Sequence, residues 1–205
     1  MQRYSRILVI SLSLSATLLN SACSSLPART TGESGQHTHP ARSYQDNIQL
    51  SGKIAVHYQK NNQTQNLPAN FTWEQTGSAL KLTLFSPLGQ TMARITQNAQ
   101  GALLEQDGKM PLQAENLDQL LATALRWPLP VAGMRDWLQG AIRLDNGERQ
   151  LLEPVDQTVD NAGWKIRYAS WYVSPAMPKR IDLSRYTTEV GEVSLNIFIE
   201  APETP

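Results

Sequence analysis

The chain is poor in the residues on which most chemistry depends. Among its 205 residues are three histidines and one cysteine. His37 and His39 stand in a stretch rich in Ser, Thr, Gly and Pro, so His57 is the only candidate general base inside patterned sequence. There is no serine in a G-x-S-x-G elbow, no Gly-rich phosphate loop, no dinucleotide fingerprint and no Cys/His metal spacing. The H-x-H pair has no preorganised further ligands and reads as polar linker. Glu74 with Glu105 could be drawn as a glycosidase couple, but any chain with 18 acidic residues offers such pairs. These absences predict a protein that is not an enzyme and uses neither a metal nor a cofactor. Charge of one sign is lacking too, with 18 basic residues against 18 acidic. A neutral balance argues against nucleic acid as a partner and against a purely electrostatic hold on anionic lipid. A single cysteine excludes an intramolecular disulfide.

The N-terminus is different in kind. In "MQRYSRILVISLSLSATLLNSAC", Arg3 and Arg6 precede an apolar stretch from Ile7 to Leu19, followed by the small residues Ser21 and Ala22 and then Cys23. That is the layout of a secretory signal peptide. The apolar stretch is shorter than the roughly 17 to 25 residues that span a bilayer. The position of Cys23 resembles the lipobox of bacterial lipoproteins, in which the cysteine is lipidated and becomes the first mature residue; Asn20 stands where leucine is usual, after Leu18 and Leu19. Residues 1–22 are therefore assigned to a lipoprotein signal peptide, residues 23–42 to a lipidated N-terminus and flexible spacer, and residues 43–205 to one domain. Without Arg3 and Arg6, 16 basic residues face 18 acidic ones in the mature chain, a net charge near −2.

From Asp46 onward the pattern is mainly period two. Leu50, Gly52, Ile54, Val56 and Tyr58 share one face, and so do Phe71 with Trp73, and Leu80, Leu82 and Leu84. Trp164, Ile166 and Tyr168 alternate with polar residues, as do Ile181 with Leu183, and Val193, Leu195, Ile197 and Ile199. Short connections imply antiparallel pairing. Asp107-Gly108 predicts a two-residue hairpin turn with positive φ at both positions. Two segments have helical spacing instead: Leu117, Leu120, Leu121, Ala124 and Leu125, with Asn116 as N-cap, and Val131, Met134, Trp137 and Leu138, closed by Gly140. A third helix is weakly signalled over Ser43–Gln49. The fold class is α+β, mainly antiparallel β, with two or three helices lying across one face of the sheet.

Between two strand runs lies "LFSPLGQT", where Ser86, Pro87, Leu88 and Gly89 suit a type I turn position by position. With Gly89 left-handed, this is a three-residue hairpin loop with a G1 bulge, which holds Leu88 outward. An apolar turn tip asks for a partner, although a leucine folded onto a neighbour, or a scattered surface leucine, is also an ordinary outcome. Five tryptophans, at 73, 127, 137, 164 and 171, either wall a cavity for an apolar ligand or fill a core, and period alone does not choose.

The order Cys23, "LSGKIAV", "FTWEQ", "LFSPLGQTMARI" and "WPLPVAGMRDWLQG" resembles the LolB family of outer-membrane lipoprotein receptors in Gram-negative bacteria, over about Leu50 to Ile199. The resemblance implies a half-open, unclosed antiparallel barrel whose helices cover a hydrophobic cavity. It implies a monomeric, lipid-anchored protein facing the periplasm. Its partners would be a LolA-like periplasmic carrier, the acyl chains of lipoproteins and outer-membrane lipid. The function implied is acceptance of lipoproteins from the carrier and their insertion into the inner leaflet of the outer membrane. Lipidation falls on Cys23, with Ser24 fitting the family's outer-membrane sorting rule, and the membrane-contact loop on Pro87, Leu88 and Gly89. The candidate cavity is assigned to the inward-reading Trp73, Leu82, Trp137, Trp164, Ile166, Leu195 and Ile197. The alternative is an outer-membrane lipoprotein serving as a structural or assembly adaptor, with a sealed core and Leu88 in a protein interface.

Overall fold

Long alternating runs build one large sheet. A computed structural model of the chain describes residues 42–60, 63–124, 130–188 and 191–201. The signal peptide, Cys23, Ser24, His37, His39 and Trp127 lie outside the described residues. Among the described residues, twelve strands and two helices follow in order: β1 (Asn47–Lys60), β2 (Gln63–Thr76), β3 (Ala79–Phe85), β4 (Thr91–Asn98), β5 (Gly101–Gln106), β6 (Leu112–Ala114), α1 (Leu117–Ala124), α2 (Val131–Trp137), β7 (Ala141–Arg143), β8 (Arg149–Leu151), β9 (Gln157–Asn161), β10 (Trp164–Val173), β11 (Ala176–Thr187) and β12 (Gly191–Ile199). Ten strands form one sheet in the order β6-β5-β4-β3-β2-β1-β12-β11-β10-β9, and β7 with β8 makes a separate hairpin. Every pairing in the large sheet is antiparallel. The edges β6 and β9 do not pair with each other, so the barrel is half-open. Both are short, which limits the unpaired backbone an edge presents.

The period-two faces hold in detail. Phe71, Trp73, Leu80, Leu82, Ile166, Ile181, Leu183, Leu195, Ile197 and Ile199 are buried in one core. Gly52 leaves no room for a side chain, because a Cβ there would overlap the carbonyl oxygen of Phe198 and press on the ring of Phe71. Removing this apolar surface from water, at about 25 cal/mol per Å², favours the packing of the sheet against the helices.

Both helices lie across the inner face. Asn116 caps α1, its Oδ1 accepting from the Gln119 backbone N–H at 2.9 Å. On α2 the residues at helical spacing, Val131, Met134 and Trp137, are buried, as is Leu138 just beyond. Gly140 ends the turn with φ +67°, a left-handed conformation that glycine adopts without strain.

Two local expectations do not hold. Ser43–Gln49 is not helical: residues 42–45 have no regular structure and β1 begins at Asn47. The segment is instead held by hydrogen bonds to α2 and the residues after it, the Tyr44 hydroxyl donating to the Arg135 carbonyl and the Gln45 N–H to Gln139 Oε1, so tertiary contacts override a weak local signal. The connection after β5 is also longer than two residues, since β5 ends at Gln106 and β6 starts at Leu112. Gly108 takes φ +67°, Asp107 is not among the positive-φ residues, and Lys109 N–H returns to the Gln106 carbonyl at 3.2 Å. A single left-handed residue at the third position is a type II pattern, so glycine alone carries the turn.

Candidate functional site

Where β1 to β5 curl beneath the helices, the inner face is not completely filled. A cavity of about 220 Å³ remains, walled by Ile54, Val56, Ala69, Phe71, Leu82, Leu84, Ala93, Ile95 and Leu104, with Leu121 of α1 and Met134 of α2 on the helix side. One lining side chain, Gln106, is polar and none is charged. Space survives because two inward positions, Ala69 and Ala93, carry only a methyl group. Leu67 and Met92 line the cavity and are also exposed, by 47% and 43%, which marks its mouth.

The sequence-assigned cavity residues divide on this geometry. Leu82 lines the cavity. Trp73, Trp137, Trp164, Ile166 and Leu195 are buried in the core and are not on the lining. Ile197, buried on the inner face, also borders a depression shared with Lys53, Pro87 and Arg180. Rings on α2 and β10 have bonded or stacked partners: Trp137 Nε1 donates to Asn161 Oδ1 at 3.0 Å, and Tyr168 stacks on Trp171 with ring centroids 5.3 Å apart. Burial pushes the Tyr168 phenol far above its ordinary range, so its hydroxyl stays protonated and donates to the Trp137 carbonyl at 3.2 Å. The lining residues that were missed share the same alternating faces. Inward alanines next to the "SPLG" turn were the available signal.

That turn stands directly beside the mouth, because Leu84 and Met92 bracket it. Gly89 N–H donates to the Ser86 carbonyl at 2.8 Å and Ser86 N–H to the Gln90 carbonyl at 2.8 Å, and Gly89 has φ +87°. The Ser86 hydroxyl oxygen accepts from Gln90 N–H at 3.2 Å. These bonds fix the loop from within, and Leu88 projects with 91% of its surface exposed.

The opposite strand ends are clasped by polar groups. Arg42 donates to the carbonyls of Leu152, Gln139 and Gly140, the last two at 2.6 and 3.2 Å, while its guanidinium lies 4.7 Å from the Trp171 ring centroid. Partial burial lowers its pKa, opposed by the Tyr168 phenol and Glu153. Gln45 and Gln139 exchange two hydrogen bonds, at 2.9 and 3.0 Å. A buried chain runs from Trp73 Nε1 to Gln75 Oε1, and from Gln75 Nε2 to the Tyr44 hydroxyl. Asp136, almost fully buried, takes Arg149 Nε at 2.7 Å and Arg143 Nε at 3.3 Å.

No group of histidine, cysteine and carboxylates suited to a metal occurs among the described residues. Glu74 pairs with Lys81 at 2.9 Å and Glu105 with Arg94 at 3.7 Å, so each faces a cation and not the other carboxylate.

Comparison with known proteins adds a family to this geometry. The model described as "Outer membrane lipoprotein LolB" matches residues 46–201. The outer-membrane lipoprotein LolB of Cupriavidus necator is 34% identical over 197 residues, covering 94% of this chain and 94% of the relative. That of Cupriavidus pinatubonensis is 34% identical over 205 residues, covering 95% and 94%. That of Cupriavidus taiwanensis is 34% identical over 167 residues, covering 77% and 81%.

Proposed function

The chain belongs to the LolB family of outer-membrane lipoproteins, and from that membership we propose that it accepts acylated lipoproteins from a LolA-like periplasmic carrier and inserts them into the inner leaflet of the outer membrane of a Gram-negative bacterium. The observation that carries the reading is an uncharged apolar cavity whose mouth adjoins an outward-held leucine.

The physical task is to keep acyl chains out of water, where each exposed CH₂ costs about 0.8 kcal/mol. Passing a chain from one apolar groove to another avoids that cost. A lining with one glutamine and no charge imposes no polar match on the cargo, so lipoproteins of different sequence are handled through their shared acyl groups. The step is a transfer between binding sites and makes no covalent bond.

Residues 1–22 act as signal peptide, Cys23 carries the anchor, Ser24 keeps the protein in the outer membrane, and residues 23–42 tether a monomeric domain, 43–205, on the periplasmic side. Leu88, braced by Pro87 and Gly89, is a reversible membrane contact. Burying one leucine is worth about 1.5–3 kcal/mol. That is too little to anchor a domain and enough to orient one already tethered.

Reconstituted transfer from a loaded carrier to liposomes tests this. Leu88→Glu is expected to bind the carrier's cargo and fail to release it into lipid; unchanged delivery would sink the membrane-contact role. Displacement of an apolar dye by free fatty acid tests the cavity separately, and absence of saturable binding would remove the carrier role.

A further inference from the structure

Leu88 is not the only bulky apolar side chain held at a turn tip. Met110, between β5 and β6, is 88% exposed, against 91% for Leu88. In an antiparallel sheet the connections β3–β4 and β5–β6 fall at the same strand ends, and the register places them side by side. Ala93 pairs with Gln106, and Asp107 N–H donates to the Met92 carbonyl at 3.3 Å. The Met110 turn therefore starts opposite the strand that leaves the Leu88 turn. With neighbouring strands about 4.8 Å apart, the two tips are on the order of 10 Å from each other. Met92, between them, is exposed on one side and lines the cavity on the other.

We infer that Met110 is a second membrane contact, which acts with Leu88 to set the rotation of the domain so that the Met92 edge of the cavity mouth faces the bilayer. The inference rests on Leu88 being a membrane contact. One contact point leaves a tethered domain free to turn about it, whereas two define a line. The side chain chemistry suits lipid. Methionine is unbranched and adapts to irregular apolar surroundings, and the adjacent Lys109, whose ammonium donates to Gln106 Oε1 at 3.3 Å, puts a cation beside the tip that suits a lipid phosphate. A protein partner fits less well. The tips are narrow and separated by the polar Ser86, Gln90 and Asp107, while a specific protein interface needs a continuous surface of about 1,200–2,000 Å².

The test uses the intact chain with Cys23 acylated, so that Met110→Cys supplies the one thiol free for an environment-sensitive nitrobenzoxadiazole label. Leu88→Cys is the companion. Val173→Cys is the control, because Val173 is 74% exposed beside the β10–β11 turn at the opposite strand ends. In vesicles of phosphatidylethanolamine and phosphatidylglycerol, doxyl-labelled lipid is expected to quench the labels at 88 and 110 by about twofold or more relative to the label at 173. A label at 110 that behaves like the one at 173, with 88 still quenched, overturns the second contact alone. Loss of quenching at both 88 and 110 removes the membrane-contact reading of Leu88 as well. Shielding of the label at 110 only on adding the loaded carrier, without lipid quenching, would put a protein on the tip and overturn the lipid assignment.

Discussion

At the strand ends where β2 turns into β3, side chains from the N-terminal segment, α2 and the β7–β8 hairpin interlock through hydrogen bonds to buried or half-buried partners. At the other ends, where β3 turns into β4 and β5 turns toward β6, the turns bond, among the described residues, within themselves or to the neighbouring strand, and leucine and methionine project into solvent. The contrast divides labour. Fixed polar contacts are concentrated away from the cavity mouth, where a charged group held by several partners resists rearrangement. The open ends carry exposed apolar surface at little risk to the fold, since neither tip is part of the core.

That division can be broken or sharpened by substitution. Trp137→Ala should cost most, about 3–5 kcal/mol in urea unfolding, because it leaves a cavity beneath α2 and orphans Asn161 Oδ1. Asp136→Ala should cost about 2–3 kcal/mol, discounted because Arg143 and Arg149 can turn partly to water. Arg42→Ala should cost about 1–2 kcal/mol by leaving three carbonyls without this donor, and hydrogen exchange should rise first around Gln139 and Gly140. Leu88→Glu should change stability by less than about 0.5 kcal/mol, yet abolish delivery into liposomes. Normal delivery by the Trp137, Asp136 and Arg42 variants at a temperature where they stay folded would sharpen the comparison. An Arg42→Ala protein of full stability and poor delivery would break it.

Different parts of this architecture were legible to different degrees. Strand faces could be read because alternation is local, and every inward residue of β12 from Val193 to Ile199 proved buried. The Leu88 turn could be read because Pro87 presets one dihedral and Gly89 permits another. The third helix failed at Ser43–Gln49 because Arg42, Tyr44 and Gln45 find partners about a hundred residues away. Trp73, Trp137 and Trp164 are assigned to the cavity because they read inward, and inward period does not separate a wall from a core. The structure puts them in the core, where a large ring removes the void it would line.

By itself, then, the sequence determined an antiparallel α+β chain, two helices, the first capped by Asn116, and an outward leucine, since each depends on side-chain period or on the dihedral limits of a few adjacent residues. Only the tertiary structure decided where empty space remains, which ends of the sheet are clasped, and that Met110 stands beside Leu88. A void is the difference between the volume a curled sheet encloses and the volume that side chains from five strands and two helices supply. No single stretch of chain carries that difference.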